Sequence, residues 1–231
     1  MIEELLDYST LGIVLATIML IAGSIIDIWK REIHDYYWVG FGVTGLLLVF
    51  MSQDIYSDLL KMGFALIVAP FVILVWRIGL FGGADAFALI ALAVIAPMAT
   101  LSESPVSPFT TLSNAAILFV IPFIINISRN IIAQTRGENI FDGFDESKFK
   151  KIVASLMGYK AKNPKFCFAI EKKENGKKRL DLTIHHAENQ EFCTTPNTWI
   201  TPGIPYLLLI TGGFIIQLFY GDIILSKFLG M

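Results

Sequence analysis

The sequence predicts an all-α polytopic membrane protein, with six transmembrane helices and a small cytosolic α+β insert before the last helix. Three observations lead there. Of 231 residues, 55% are hydrophobic and only 16% charged, where a soluble domain carries about a quarter charged. Six stretches lack Asp, Glu, Lys and Arg altogether. The remaining charges concentrate in residues 137–191, which hold 11 basic and 9 acidic residues in 55 positions.

The charge-free stretches are 8–26, 36–53, 62–76, 86–102, 104–128 and 192–221. A helix crosses a bilayer with roughly 17 to 25 mainly apolar residues, so each stretch holds one span, the shorter ones by drawing on their flanks. Between the third and fourth, Phe81-Gly82-Gly83 is a poor helix interior flanked by Arg77 and Asp85, which predicts a turn rather than one broken hydrophobic unit. Pro70, Pro97 and Pro122 fall inside the predicted spans, where proline kinks a helix. The first seven residues hold Glu3, Glu4 and Asp7 and no base, unlike a cleavable secretory signal, so the first span is expected to stay in the mature protein. With the N-terminus outside and six alternating spans, 16 of the 18 Lys and Arg residues fall inside, as the positive-inside rule favours. The expected location is the cell membrane, multi-pass, with the charged insert cytosolic. The expected domains are 1–132, the membrane domain with spans one to five; 133–199, the cytosolic α+β subdomain; and 200–231, the sixth span and C-terminus.

Within the insert, Glu146 to Met157 reads as a short amphipathic helix with Phe149, Ile152, Val153 and Leu156 on one face. Phe166, Phe168 and Ile170, then Leu180, Leu182 and Ile184, alternate around Asn175-Gly176, the pattern of a β-hairpin. Its Lys-rich tip, Lys172 to Arg179, reads as a solvated surface near anionic lipid heads rather than a specific site. A net charge of −2 leaves no basic excess for a nucleic acid. Cys167 and Cys193 form no C-x-x-C pair, so no sulfur metal site can be read from them. His185-His186 would point to opposite faces of a strand, which argues against a joint metal site.

Asp27 and Asp85 each sit hard against an apolar helix. The first span runs outside to inside and ends at Asp27; the fourth runs inside to outside and begins at Asp85. Helix parity alone brings both to the cytosolic boundary. Taken singly, Asp27 reads equally as an interfacial acid paired with Lys30 or Arg31, and Asp85 as a first-turn acid favoured by the helix dipole. Together they say more. Two facing carboxylates at low dielectric tend to share one proton, which suits hydrolysis of a peptide bond: the ionised member takes a proton from water while the protonated one hydrogen-bonds the carbonyl oxygen. Gly82 and Gly83 would let a substrate backbone approach.

Gly82-Gly83-Ala84-Asp85, followed by Ala86-Phe87-Ala88-Leu89, resembles the G-x-G-D element of membrane aspartyl proteases, whose other catalytic aspartate ends an earlier helix as Asp27 does. The closer resemblance is to the archaeal preflagellin peptidases, relatives of the type IV prepilin peptidases. The similarity is carried also by Arg31-Glu32-Ile33-His34-Asp35-Tyr36, by the charged insert, and by Trp199-Ile200-Thr201-Pro202-Gly203-Ile204-Pro205 with a later Gly221-Asp222. The resemblance implies six spans, catalysis by Asp27 and Asp85, and removal of short basic class III signal peptides from flagellin-like or pilin-like precursors at the cytosolic face. Ala84 stands where the motif usually has glycine; a positive φ would strain it, but alanine is small and helix-forming, and the change reads as tolerated. The paired C-x-x-C motifs of methylating bacterial relatives are missing, so no methyltransferase activity is expected.

Glu32 and Asp35 share the loop after Asp27 and are the acids best placed to attract a basic leader, although His34 and Asp35 taken singly read more readily as helix-end residues than as substrate contacts. Substrate contacts are therefore expected from Glu32, Asp35, Gly82, Gly83 and Ala84. Neither metal nor organic cofactor is needed, and the expected partners are the precursor proteins and the lipid bilayer. Asp222 falls near the external end, on the wrong side for the pair. The rival class is a proton-coupled transporter using the two acids as a relay; it calls for acids spread through the membrane depth, whereas Asp27 and Asp85 share one level.

Overall fold

A computed structural model describes residues 8–101, 108–174, 176–183 and 190–223. The helices are α1 (Tyr8–Lys30), α2 (Asp35–Val49), α3 (Ile55–Ala65), α4 (Val68–Arg77), α5 (Gly83–Ile95), α6 (Pro108–Leu118), α7 (Val120–Thr135), α8 (Lys148–Met157) and α9 (Tyr206–Tyr220). The strands are β1 (Tyr159–Ala161), β2 (Cys167–Ala169), β3 (Glu171–Glu174), β4 (Lys177–Leu180) and β5 (Thr198–Pro202). The fold is mostly helical, with its small sheets before the last helix. Among the described residues, three helical stretches are long and apolar enough to cross a membrane: Tyr8–Lys30, Ile55–Arg77 and Pro108–Thr135. Gly83–Ile95 and Tyr206–Tyr220 are shorter apolar helices.

The prolines explain where the helices stop. Pro70 and Pro122 have no N–H for the carbonyls of Leu66 and Leu118, and the chain breaks between α3 and α4 at Leu66-Ile67 and between α6 and α7 at Phe119. Pro97 forces the preceding residue out of the helical region, so Ala96 takes φ −141°, ψ 65° and ends α5 after 13 residues. The turn expected between the third and fourth spans is present. Gly79, at φ 79°, follows α4, and α5 begins at Gly83.

The chain divides into two compact units, Met1–Leu118 with Pro205–Met231, and Phe119–Ile204. In the first unit α5 is the hub, packed against α1, α2, α3, α4, α6 and α9, with nine of its 13 residues buried. Five of those nine are glycine or alanine. Small side chains let helix backbones come close where lipid supplies no hydrophobic drive. A Cβ on Gly12 of α1 would meet the Ile95 carbonyl at 2.5 Å, and one on Gly45 of α2 the Ile95 side chain at 2.7 Å. The outer faces are apolar instead: Val14, Ile18, Ile21 and Ile25 form one exposed stripe on α1, while Gly12, Ala16, Leu20 and Gly23 line its inner side. The Tyr37 hydroxyl donates to the Met19 carbonyl (2.6 Å) and ties α2 to α1.

In the second unit, β1 and β2 both pair antiparallel with β5, while β3 and β4 form a separate hairpin. Gly176, at φ 77°, suits its turn; Asn175 and residues 184–189, with Ile184, His185 and His186, lie outside the described residues. The alternation from Phe166 to Ile170 therefore does not feed the hairpin as expected. Phe166 takes φ 51°, β2 turns to β5, and Ile170 donates to the Trp199 carbonyl (2.9 Å) while accepting from Asp181 N–H (2.8 Å), so it hinges the two sheets. The core gathers on Trp199, which stacks on Phe141 (4.6 Å between centroids) and donates from Nε1 to the Ile140 carbonyl (2.6 Å). Burial penalises the Glu146 carboxylate, yet bonds from Leu180 N–H and Lys150 Nζ (3.0 Å each), with Arg179 nearby, outweigh it and hold the group below its ordinary range. The face expected to build a core from α8 is used only in part. Val153 and Leu156 are half-buried, but Phe149 and Ile152 are 75% and 61% exposed, and Ala154 is the buried residue of this helix, whose last carbonyls are held by Asn126 and Asn130 of α7.

Candidate active site

Asp27 lies four residues after Gly23 and so continues the inner stripe of α1, where it is half-buried. Its main chain is held by the helix end. Arg31 takes the left-handed conformation (φ 59°), rare for a side-chain-bearing residue, and its N–H donates to the Asp27 carbonyl at 3.0 Å, the single bond of an αL cap. Asp85 is the third residue of α5 and 8% exposed. Its Oδ2 accepts the N–H of Gly82, the N-cap, at 3.0 Å, so the carboxylate faces the positive end of the helix.

The two acids fall at the same end of one helix pair. Gly12 of α1 touches Ile95 of α5. From that contact Asp27 is about 22 Å along α1 and Asp85 about 15 Å back along α5, at 1.5 Å per residue. The first turn of α9 joins both neighbourhoods. Tyr206 stacks on Phe81 (5.6 Å, 11° between planes) and lies within electrostatic reach of Asp85. The next residue, Leu207, fills the space beside Gly23, where a Cβ would meet its Cδ2 at 3.1 Å. One turn further, Thr211 and the buried Ser24 share a 2.7 Å hydrogen bond, and Thr211 Oγ1 also lies 3.1 Å from the Leu20 carbonyl.

Gly82 adopts φ −80°, ψ 166°, extended backbone open to any residue, and Gly83 and Ala84 lie inside the first turn of α5. Ala84 therefore needs no left-handed conformation and is unstrained; it packs against the bundle core. Glu32 is exposed in the α1–α2 connection and Asp35 is exposed in the first turn of α2. His34 precedes α2 in extended conformation and makes no side-chain cap bond. Sequence reading singled out neither Tyr206 nor the Ser24–Thr211 pair. Tyr206 directly follows the Trp199–Pro205 run, and Ser24 sits one turn before Asp27, but only the packing of α9 between α1 and α5 marks them. Among the described residues no group of three or more His, Cys, Asp or Glu is placed to hold a metal ion.

Apolar helices packed through small residues are the architecture of a membrane bundle, and sequence comparison supplies its class. A model described as "Type IV leader peptidase family" matches residues 14–127, and one described as "Archaeal Peptidase A24 C-terminus Type II" matches residues 145–223. The chain belongs to the type IV leader peptidase family and is a membrane protease. Among curated proteins it is similar to the preflagellin peptidase of Methanococcus voltae, 26% identical over 92% of this chain and 96% of that protein. It is similar also to those of Methanocaldococcus jannaschii (25%, covering 96% and 98%) and Methanococcus maripaludis (25%, covering 92% and 96%).

Proposed function

We propose that the protein is an aspartic endopeptidase that removes short basic class III signal peptides from flagellin-like or pilin-like precursors at the cytosolic membrane face. The observation that supports it most is the shared end of α1 and α5 at which Asp27 and Asp85 lie. In this reading α1, α2, α3–α4, α5, α6–α7 and α9 are six spans, the N-terminus is outside, and residues 133–199 are cytosolic. One carboxylate is ionised and takes a proton from water as the water oxygen attacks the scissile carbonyl. The other is protonated and donates a hydrogen bond to the carbonyl oxygen. Collapse of the tetrahedral intermediate returns a proton to the leaving amine, so no metal or organic cofactor takes part. The pair titrates jointly, and neither residue is assigned the base. Gly82, Gly83 and Ala84 leave space for the substrate main chain, and Glu32 with Asp35 draws the basic leader.

The test is cleavage of a flagellin-like precursor by purified protein in detergent, with the new N-terminus sequenced. Wild type should cut after the basic leader, and Asp27→Asn and Asp85→Asn should not. Normal turnover by either variant would sink the pair.

A further inference from the structure

The second unit holds a basic cavity that the proposed reaction does not use. Helix α7 has two faces. Asn126 and Asn130, one turn apart, face the protein: Asn126 donates to the Leu156 carbonyl (3.1 Å), and Asn130 to those of Ser155 (3.0 Å) and Gly158 (2.8 Å). The other side leaves Ile121, Ile124 and Ile125 exposed, an apolar stripe suited to lipid rather than water, and the exposed Ile132 stands where that stripe meets the cavity. Arg129 is the first charge after the run 104–128. A span of roughly 17 to 25 residues leaves the hydrocarbon at that point, so Arg129 stands at headgroup level.

Polar groups then converge. Arg129, Ile132, Ala133 and Arg136 recur at helical spacing on one side of α7 and line the cavity. Gly137, at φ 81°, ends α7 in a Schellman turn: its N–H donates to the Gln134 carbonyl (2.9 Å), and that of Glu138 to Ala133 (3.1 Å). The chain thus folds back and brings Glu138 and Ile140 to the same cavity, with Tyr159, Lys160 and Lys162 opposite. The Arg129 guanidinium sits 4.5 Å over the Tyr159 ring, which fixes its position.

The charge does not cancel. Among the described residues four cations face one acid, Glu138, whose 3.1 Å pair with Lys162 has side chains 43% and 76% exposed and is weak. The C-terminal end of α7 adds roughly half a negative charge, too little to offset the excess. The volume, about 250 Å³, lies just under the roughly 300–1,000 Å³ of pockets for drug-sized ligands.

We infer that this cavity binds the phosphate headgroup of an anionic membrane lipid whose chains lie along the isoleucine stripe of α7. The adjoining apolar stripe selects lipid over free phosphate, and the same cations repel a basic leader. The inference needs the protein to be in a membrane but does not rest on the aspartate pair, so the two readings fail separately.

The test uses the full-length protein in detergent, with lipids retained after washing counted by native mass spectrometry. Wild type should hold phosphatidylglycerol several-fold better than phosphatidylcholine. Arg129→Gln with Lys160→Gln should remove that preference. Arg136→Gln, which leaves the Arg129–Tyr159 contact intact, should weaken it in the same direction. Lys172→Gln with Lys177→Gln, an equal charge change on the β3–β4 hairpin, should leave it alone. Equal loss in the hairpin variant, no preference in wild type, or displacement of the lipid by millimolar inorganic phosphate would each overturn the inference.

Discussion

At the end of the bundle away from the aspartates, Thr111, Asn114 and Gln217 are buried and bonded to one another's helices and to the chain just beyond helix ends. Gln217 Nε2 donates to the Ala99 carbonyl (2.9 Å), the Thr111 hydroxyl donates to Gln217 Oε1, and Asn114 Nδ2 donates to the Gly221 carbonyl (3.0 Å) while its Oδ1 accepts from Ile223 N–H (3.3 Å). Asp222 lies in the same region. At the other end Asp85 bonds the N-cap of its own helix, Asp27 is half-buried, and the polar tie between helices is displaced one turn, to Ser24 and Thr211. One end spends its polar groups on joining helices. The other puts its carboxyls at helix ends and leaves the joining to neutral hydroxyls, the division of labour that the proposed reaction calls for.

That contrast predicts a graded set of effects. The largest should come from Asp27→Asn or Asp85→Asn: turnover should drop by about 10²–10⁴-fold, the range of general acid–base catalysis, with an unchanged thermal midpoint. A parallel loss of stability would mean that this end is structural too. Next is the double variant Ser24→Ala, Thr211→Val, which removes the tie beside Asp27. Misplacement of a catalytic group by about 1 Å costs up to ~10²-fold, so kcat should fall while KM holds; an unchanged kcat would show that α9 does not position Asp27. Gln217→Leu should do the reverse, lowering stability by about 0.6–1.7 kcal/mol in thermal unfolding while the folded fraction cleaves normally. The smallest effect belongs to Glu32→Gln with Asp35→Asn. Exposed pairs are worth about 0–1 kcal/mol each, so KM should rise several-fold at low salt and the difference should shrink as salt rises. Complete loss of cleavage would give that loop a structural or catalytic role.

The acids were legible because a carboxylate beside a charge-free helix is conspicuous, and helix parity carried Asp27 and Asp85 to one level before any packing was known. Tyr206 was not. A tyrosine opening an apolar helix is unremarkable until Phe81 is found stacked on it. The hairpin was half legible. Asn175-Gly176 marked its turn, but the alternation before it belonged to β2, and a period of two carries no information about whether the partner is β4 or β5. Phe149 and Ile152 misled for a related reason. Periodicity identifies an apolar face without saying what covers it.

By itself, then, the sequence determined what depends on neighbours along the chain. It set the apolar stretches, the turn before Gly83, the kinks expected at Pro70, Pro97 and Pro122, and the separation of the charged segment, since proline, glycine and charge act through local sterics and solvation. Tertiary structure alone decided that α5 is the hub, that α9 opens between Gly23 and Phe81, and that β5 takes both β1 and β2. Those choices depend on where backbones can approach each other, and that depends on a glycine facing a main chain far away in sequence, as Gly12 faces the Ile95 carbonyl, a match that leaves no periodic trace in either helix.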